Sequence, residues 1–256
     1  MEIIVFVKQV PDTESRIVVK DGKIDEEGIN FILNPYDEFA VEEGLRLKEK
    51  FGGKVTAVTV GPERAISTLR KVLAMGVDDA ILIKDDAGET YDPQRISKII
   101  SEFIKKEKIP FDILFFGKQA IGDDNMGVPA MVAEFLGLPQ VTVVTKLEID
   151  NGKGKAWREI EGASEVVEFK LPAVLSAQKG LNEPRYETLK GIMAAKKKEI
   201  RTVTLDELGL KELQNSISIL KIEPPPPRPA GKILKGTPEE MVKELLNLLR
   251  NEAKVI

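Results

Sequence analysis

The chain contains no cysteine and no histidine, and these two absences remove much of ordinary enzyme chemistry. Without thiolates there is no cysteine nucleophile, no disulfide and no iron–sulfur ligation. Without imidazole there is no histidine general base and no Cys/His zinc site. A redox role would need a borrowed organic cofactor. No apolar run reaches eighteen residues, so no membrane-spanning helix is expected. No basic segment leads into an apolar one at the start, where the chain opens on a strand pattern, and a cytoplasmic location is expected. Neither GxGxxG nor GxxxxGK[ST] occurs, which leaves the standard dinucleotide fold and the P-loop NTPases unsupported. Charge of one sign is not in excess. With 38 Lys and Arg against 42 Asp and Glu, the net charge of −4 gives no bulk field directed at nucleic acid or at an anionic membrane. What remains is 256 residues with 42% hydrophobic and 31% charged content. That suits a globular protein with one large core, or one domain plus an arm.

The first half alternates apolar runs of strand length with amphipathic helices. Ile3–Val7, Val55–Val60, Ala80–Ile83 and Ile113–Phe116 read as buried parallel strands. Between them Phe39, Ala40 and Leu47 share a helix face, as do Ile66, Leu69 and Leu73, and Ile96, Ile99, Ile100 and Phe103. Asn34-Pro35 and Asp92-Pro93 each place a capping side chain before a proline at the first helical position. Strand–helix alternation implies an α/β fold, a three-layer Rossmann-like parallel sheet. After about Thr145 the pattern changes. Leu147–Ile149, Ala156–Ile160 and Glu165–Lys170 alternate, with turn signals at Asn151-Gly152 and Glu161-Gly162, so residues 146–170 are expected to form an antiparallel β extension. Leu171–Ala177 reads as a further core strand and Leu205–Gly209 as a short helical turn. Glu223–Gly231, EPPPPRPAG, is expected to be an extended polyproline arm. Thr237-Pro238-Glu239-Glu240 is a capping box opening a last helix with Met241, Leu245 and Leu248 on one face. The expected division is an α/β domain over 1–222 and an arm with a helix over 223–256. The arm either embraces a partner or folds back on its own domain.

In an open parallel sheet, ligands bind beyond the carboxyl ends of the strands. Four loops there are chemically suggestive: Lys8–Thr13, Asn34–Asp37, Val60–Pro62 and Gly117–Pro129. The last enters an expected helix over Val128–Leu136, whose start offers backbone amides to an anion. Asp123, Asp124 and Asn125 are natural N-caps. Two carboxylates beside a phosphate would repel it unless they bind ribose hydroxyls, adenine amines or a cation. An ordinary, well-capped βα loop is the alternative.

The segment Leu181–Lys198, LNEPRYETLKGIMAAKKK, holds no nucleophile and no metal ligand. A proline turn, one aromatic, a lone leucine among polar residues and a run of cations suit a surface touched by another protein. A hairpin followed by an ordinary basic helix is the plainer reading. The segment is also similar to the signature of the electron transfer flavoprotein beta subunit family. The resemblance extends over nearly the whole chain through Val7–Asp12, Asn34–Glu38, Ala74-Met75-Gly76, Gly117–Ile121, Arg158-Glu159, Leu171–Val174, Asn182–Tyr186 and Lys196–Lys198.

That resemblance implies a beta subunit paired with an alpha subunit that carries FAD. The pair would shuttle electrons from flavin dehydrogenases, such as the acyl-CoA dehydrogenases of fatty acid oxidation, to a quinone oxidoreductase. It implies AMP, or a second FAD in electron-bifurcating relatives, bound at Phe6, Asn34, Pro35, Tyr36, Asp37, Val60 and the run Gly122, Asp123, Asp124, Asn125, Met126, Gly127, Val128, Pro129, Ala130, Met131, Val132 and Ala133. It makes Leu189 the anchor for partner dehydrogenases, with Tyr186, Ile192, Met193 and Lys197 around it. It puts Thr13, Arg158 and Glu159 near the alpha subunit and its flavin. The chain departs from many relatives in the nucleotide loop, where the glycine and proline are displaced, and at Thr13, where mitochondrial-type members carry tyrosine. Two alternatives stay open: a bifurcating flavoprotein that oxidises NADH on its own FAD, and an adenine-nucleotide sensor of the universal-stress type. The sensor would not need the β extension, the proline arm or the Leu189 segment. No nucleic acid, direct membrane insertion or metal is expected.

Overall fold

A computed structural model describes residues 1–86, 92–228 and 230–256; Pro229 of the expected proline arm lies outside the described residues. In chain order the described strands and helices are β1 (Glu2–Phe6), β2 (Gln9–Pro11), β3 (Val18–Lys20), β4 (Lys23–Asp25), β5 (Phe31–Leu33), α1 (Pro35–Phe51), β6 (Lys54–Gly61), α2 (Ile66–Met75), β7 (Asp79–Lys84), α3 (Pro93–Glu107), β8 (Ile113–Gly117), α4 (Gly127–Leu136), β9 (Gln140–Asp150), β10 (Lys153–Ile160), β11 (Ala163–Lys170), β12 (Ala173–Ala177), α5 (Leu189–Lys197), β13 (Arg201–Thr204) and α6 (Pro238–Asn247). A 3-10 turn over Glu63–Ala65 precedes α2, and a π-helical turn over Leu248–Ala253 follows α6.

Nine strands form one sheet in the order β11-β10-β9-β12-β8-β1-β6-β7-β13. From β9 to β13 every pairing is parallel. Alternation along β1 sorts the core into two layers. Ile3, Val5 and Val7 face Val41, Leu45, Leu69 and Leu73 of α1 and α2, whereas Ile4 and Phe6 face Ile99, Ile100, Phe103 and Val132 of α3 and α4. Helices on both faces of a mostly parallel sheet make this the expected three-layer α/β fold.

Two steps of the chain set the site. From β1 the path runs outward through β6 and β7, and α3 then carries it back to β8 on the other side of β1. The strand order therefore reverses between β1 and β8, where an open sheet forms its ligand crevice. The second step is β9. Its first half pairs parallel with β12 and its second half antiparallel with β10, with register shifts in both ladders. At the changeover Val143 has φ +61°, an outlier for a β-branched residue, and its N–H donates to Ser176 Oγ at 3.0 Å. The extension β10–β11 is antiparallel throughout, as its alternation predicts.

The chain divides into two compact units, one of residues 1–17 and 25–220, the other of residues 18–24 and 221–256. The second unit holds α6, whose capping box forms as expected: Glu240 N–H donates to Thr237 Oγ1 at 3.4 Å and Thr237 N–H to Glu240 Oε2 at 2.8 Å. No residue of α6 is buried.

Candidate functional site

Asp37 stands in the first turn of α1, and its carboxylate joins the two strands that flank the switch point. Oδ2 accepts from Lys8 N–H just past β1 at 2.7 Å, and Oδ1 accepts from Gly117 N–H at the end of β8 at 3.0 Å. The residue is 5% exposed, and that burial pushes its carboxyl up to about 7 although the Lys8 and Gly117 amides and the Asn34 side chain pull it down. Gly117 must be glycine: a Cβ there would lie 2.3 Å from Asp37 Oδ1 and 2.6 Å from the Tyr36 carbonyl carbon.

Asn34, 1% exposed, does not cap α1 as its sequence position predicts, since its side chain makes no cap hydrogen bond. It holds the next loop instead. Nδ2 donates to Gln119 O at 2.8 Å, and Oδ1 accepts from Ile121 N–H at 3.2 Å. The nearby loop backbone outcompetes the helix end for this amide. Asp92, by contrast, caps α3 as expected, accepting from Arg95 N–H at 3.0 Å.

The loop after β8 is cross-tied. Lys8 Nζ lies 3.0 Å from Asp123 Oδ2, Gln119 Nε2 donates to Asp124 Oδ1 at 2.5 Å, and Lys118 Nζ sits 5.0 Å from the centre of the Tyr36 ring. The expected caps of α4 are displaced: helix starts at Gly127, its N-cap is Met126 in the left-handed region at φ 53°, and no side chain caps it there. Asn125 Oδ1 comes nearest to that role, accepting from Gly127 N–H at 3.0 Å. Pro129 brings no N–H and that of Gly127 is taken, so Val128 carries the remaining amide among the first three residues of α4.

The other expected nucleotide residues divide by side chain. Phe6 stacks on Phe116 with ring centres 4.6 Å apart, and both rings, with Val132 and Ala133, belong to the core; Pro129 is buried as well. Val60, Pro35, Tyr36, Gly127, Ala130 and Met131 are half-buried, while Gly122, Asp124, Asn125 and Met126 are exposed. Lys8 and Gly117 complete the frame, although neither stood among the expected contacts. Their partner Asp37 lies 29 and 80 residues away in the chain, a link with no local sequence signal.

Farther off, Thr13 and Glu159 are exposed and Arg158 is half-buried. Arg158 donates through Nε to Thr142 O at 3.1 Å and through NH1 to Glu165 at 3.1 Å. In the 181–198 segment Tyr186 is 93% exposed, Leu189 76% and Met193 62%. Lys197 is exposed, whereas Ile192 turns toward the core. Lys198 is not a free rim cation: it donates to Val77 O and Asp78 O at 2.9 and 2.7 Å. Gly191 lets α5 approach α2, where a Cβ would lie 2.2 Å from Ala74 O. Among the described residues no helix is long and apolar enough to cross a membrane, and no group of three acidic, Cys or His residues could hold a metal.

Comparison with known proteins gives the family. The electron transfer flavoprotein domain model matches residues 21–208. The chain is 46% identical over 260 residues to the electron transfer flavoprotein subunit beta of Bacillus subtilis, with 100% of each chain covered. It is 39% identical to the mouse protein of the same name over 250 residues, 96% of each. To the human one it is 38% identical over 255 residues, 98% of each. The chain belongs to the electron transfer flavoprotein beta subunit family.

Proposed function

We propose that the chain is the beta subunit of a heterodimeric electron carrier, with an adenine nucleotide held in the switch-point crevice. The nucleotide is AMP, or the AMP part of a second FAD. The observation that carries this reading is the double clamp of Asp37 and Asn34, which fixes the β1 and β8 ends and the loop between Gly117 and Gly127 without spending their side chains on a ligand. The residues present suit such a group. Lys8 and the Val128 amide would face its phosphate, and the backbone over the Phe6–Phe116 stack would line its floor. FAD bound mainly by the alpha subunit would supply the electron-transfer chemistry.

In the same reading the exposed surface at Leu189 docks flavin dehydrogenases such as acyl-CoA dehydrogenases. Thr13, Arg158 and Glu159 face the alpha subunit, and residues 223–256 embrace it. Electrons leave toward a quinone oxidoreductase, and the complex works in the cytoplasm. The support is exposure: Tyr186 and Leu189 carry apolar surface into solvent with no structural use for it.

The test is to co-express the chain with its alpha subunit, denature the complex and identify what is released by mass spectrometry. One FAD and one AMP per heterodimer is the expected result. Two FAD would favour instead an electron-bifurcating flavoprotein that oxidises NADH. Release of no adenine compound would overturn the nucleotide site.

A further inference from the structure

Tyr186 and Leu189 cannot hold themselves in place. They are 93% and 76% exposed, and residues 182–188 have no regular secondary structure. Thr188 caps the start of α5, its Oγ1 accepting from Gly191 N–H at 3.0 Å, but the segment that leads to this cap needs an anchor of its own. Downstream the helix is fixed: Arg70 donates to Ala195 O at 2.5 Å and also to Lys198 O, and Gly191 packs on Ala74. Upstream, one side chain does most of the holding. Arg185 Nε and NH2 reach Glu42 at 2.7 and 3.0 Å, while NH1 and NH2 reach Glu49 at 2.6 and 3.2 Å. The Arg185 N–H adds a third bond to Glu42, at 3.1 Å. Asn182 joins the same helix, donating to Phe39 O at 3.1 Å and Glu43 at 2.9 Å.

Glu42 has a side chain only 5% exposed, and its other cation, Arg46, lies at 3.5 Å. A buried carboxylate held by a planar fork is a stiff joint, because leaving it unpaired is costly and a lysine cannot reproduce the two-point geometry. The two carboxylates hold the guanidinium well above its usual range, and Glu49 is held below its own.

We propose that Arg185 is the positioning residue of the docking surface: it clamps the segment to α1 so that Leu189 is presented in its docking conformation before a partner arrives. The proposal rests on the docking role given to Leu189 above. It adds that the surface is pre-set and not ordered on contact. A pre-set surface avoids the entropy loss of fixing a loose segment during binding.

The test uses the alpha–beta complex as electron acceptor for an acyl-CoA dehydrogenase, with wild type, Arg185→Lys, Leu189→Ala and the double variant. Arg185→Lys should raise KM for the complex roughly fivefold at unchanged kcat, with wild-type flavin and nucleotide content, an effect in the range of one ordinary hydrogen bond lost. In the Leu189→Ala background the same change should add almost nothing, because the clamp acts through Leu189. Hydrogen exchange at residues 185–188 should quicken in Arg185→Lys. A wild-type KM in Arg185→Lys, or the same multiplicative rise with Leu189 absent, overturns the proposal. If Leu189→Ala is itself neutral, the docking role fails and the clamp's role with it. Should Arg185→Lys not assemble, Glu49→Gln removes only the outer half of the clamp and should shift KM the same way, less far.

Discussion

Asp37 ties the switch-point loops to the stability of the sheet, and its titration gives a quantitative test. Its carboxyl is raised from 3.8 to about 7, chiefly by burial. A raised folded value means that the protonated form is the one the fold prefers. The stabilisation from this group is fully present below about 3.8 and is lost as pH climbs to about 7. A gap of about 3 units at roughly 1.36 kcal/mol each comes to about 4 kcal/mol. The perturbation is Asp37→Asn, which keeps size but cannot titrate, and the assay is urea unfolding of both proteins at pH 5, 6 and 7. The asparagine also loses an acceptor for one of the two amides, a constant offset of about 1–3 kcal/mol. The reading is therefore the change of the difference with pH. Wild type should fall relative to the variant by about 2–3 kcal/mol between pH 5 and 7. A difference that stays flat would show that the carboxyl does not titrate in this window. A flat difference would then mean that the Lys8 and Gly117 amides outweigh burial and that the site is anionic throughout, its pH dependence lying below about 3.8.

Gly117→Ala sets a methyl against Asp37 Oδ1 and Tyr36. Overpacking and loss of the Gly117–Asp37 bond together should cost about 3–5 kcal/mol, read as a lower denaturation midpoint, with loss of bound adenine nucleotide. A variant of unchanged midpoint would mean that α1 yields freely at its first turn. The Asp85–Arg95 pair at the end of β7 and the start of α3 has both side chains nearly enclosed, at 3% and 4% exposed. Asp85→Ala should cost about 3–5 kcal/mol because the guanidinium stays buried, whereas replacing both partners by apolar residues should recover most of that; calorimetry of the single and double variants checks it.

Much of the fold was legible because burial leaves long-lived patterns in a sequence. Ile3–Val7 and Ile113–Phe116 read as strands since both faces of a parallel sheet are covered, and the Ile96–Phe103 stripe read as a helix since one face meets the core. The short strands β2 to β5 and β13 were missed, being only three or four residues long, too few for alternation to show. The start of β9 was missed as well, since its parallel half at Gln140–Val144 joins an antiparallel half without a break. The loops beyond the strand ends were legible as loops, but the tasks of two side chains were not. Asn34 read as a cap and proved to be a loop tie, and Lys198 read as part of a run of surface cations and proved to hold carbonyls. Both depend on which backbone arrives alongside, and local propensity carries no record of that.

The sequence by itself determined the layer architecture, the family and the exclusions that follow from having neither cysteine nor histidine, because these depend on residue type and short-range order. Only the tertiary structure decided that Asp37 joins two strand ends, that Arg185 is gripped by Glu42 and Glu49, and that the Phe6 ring stacks on Phe116 in the core. Those are contacts between residues distant along the chain, and a side chain with several possible partners is assigned one only when folding removes the water and brings that partner within hydrogen-bond reach.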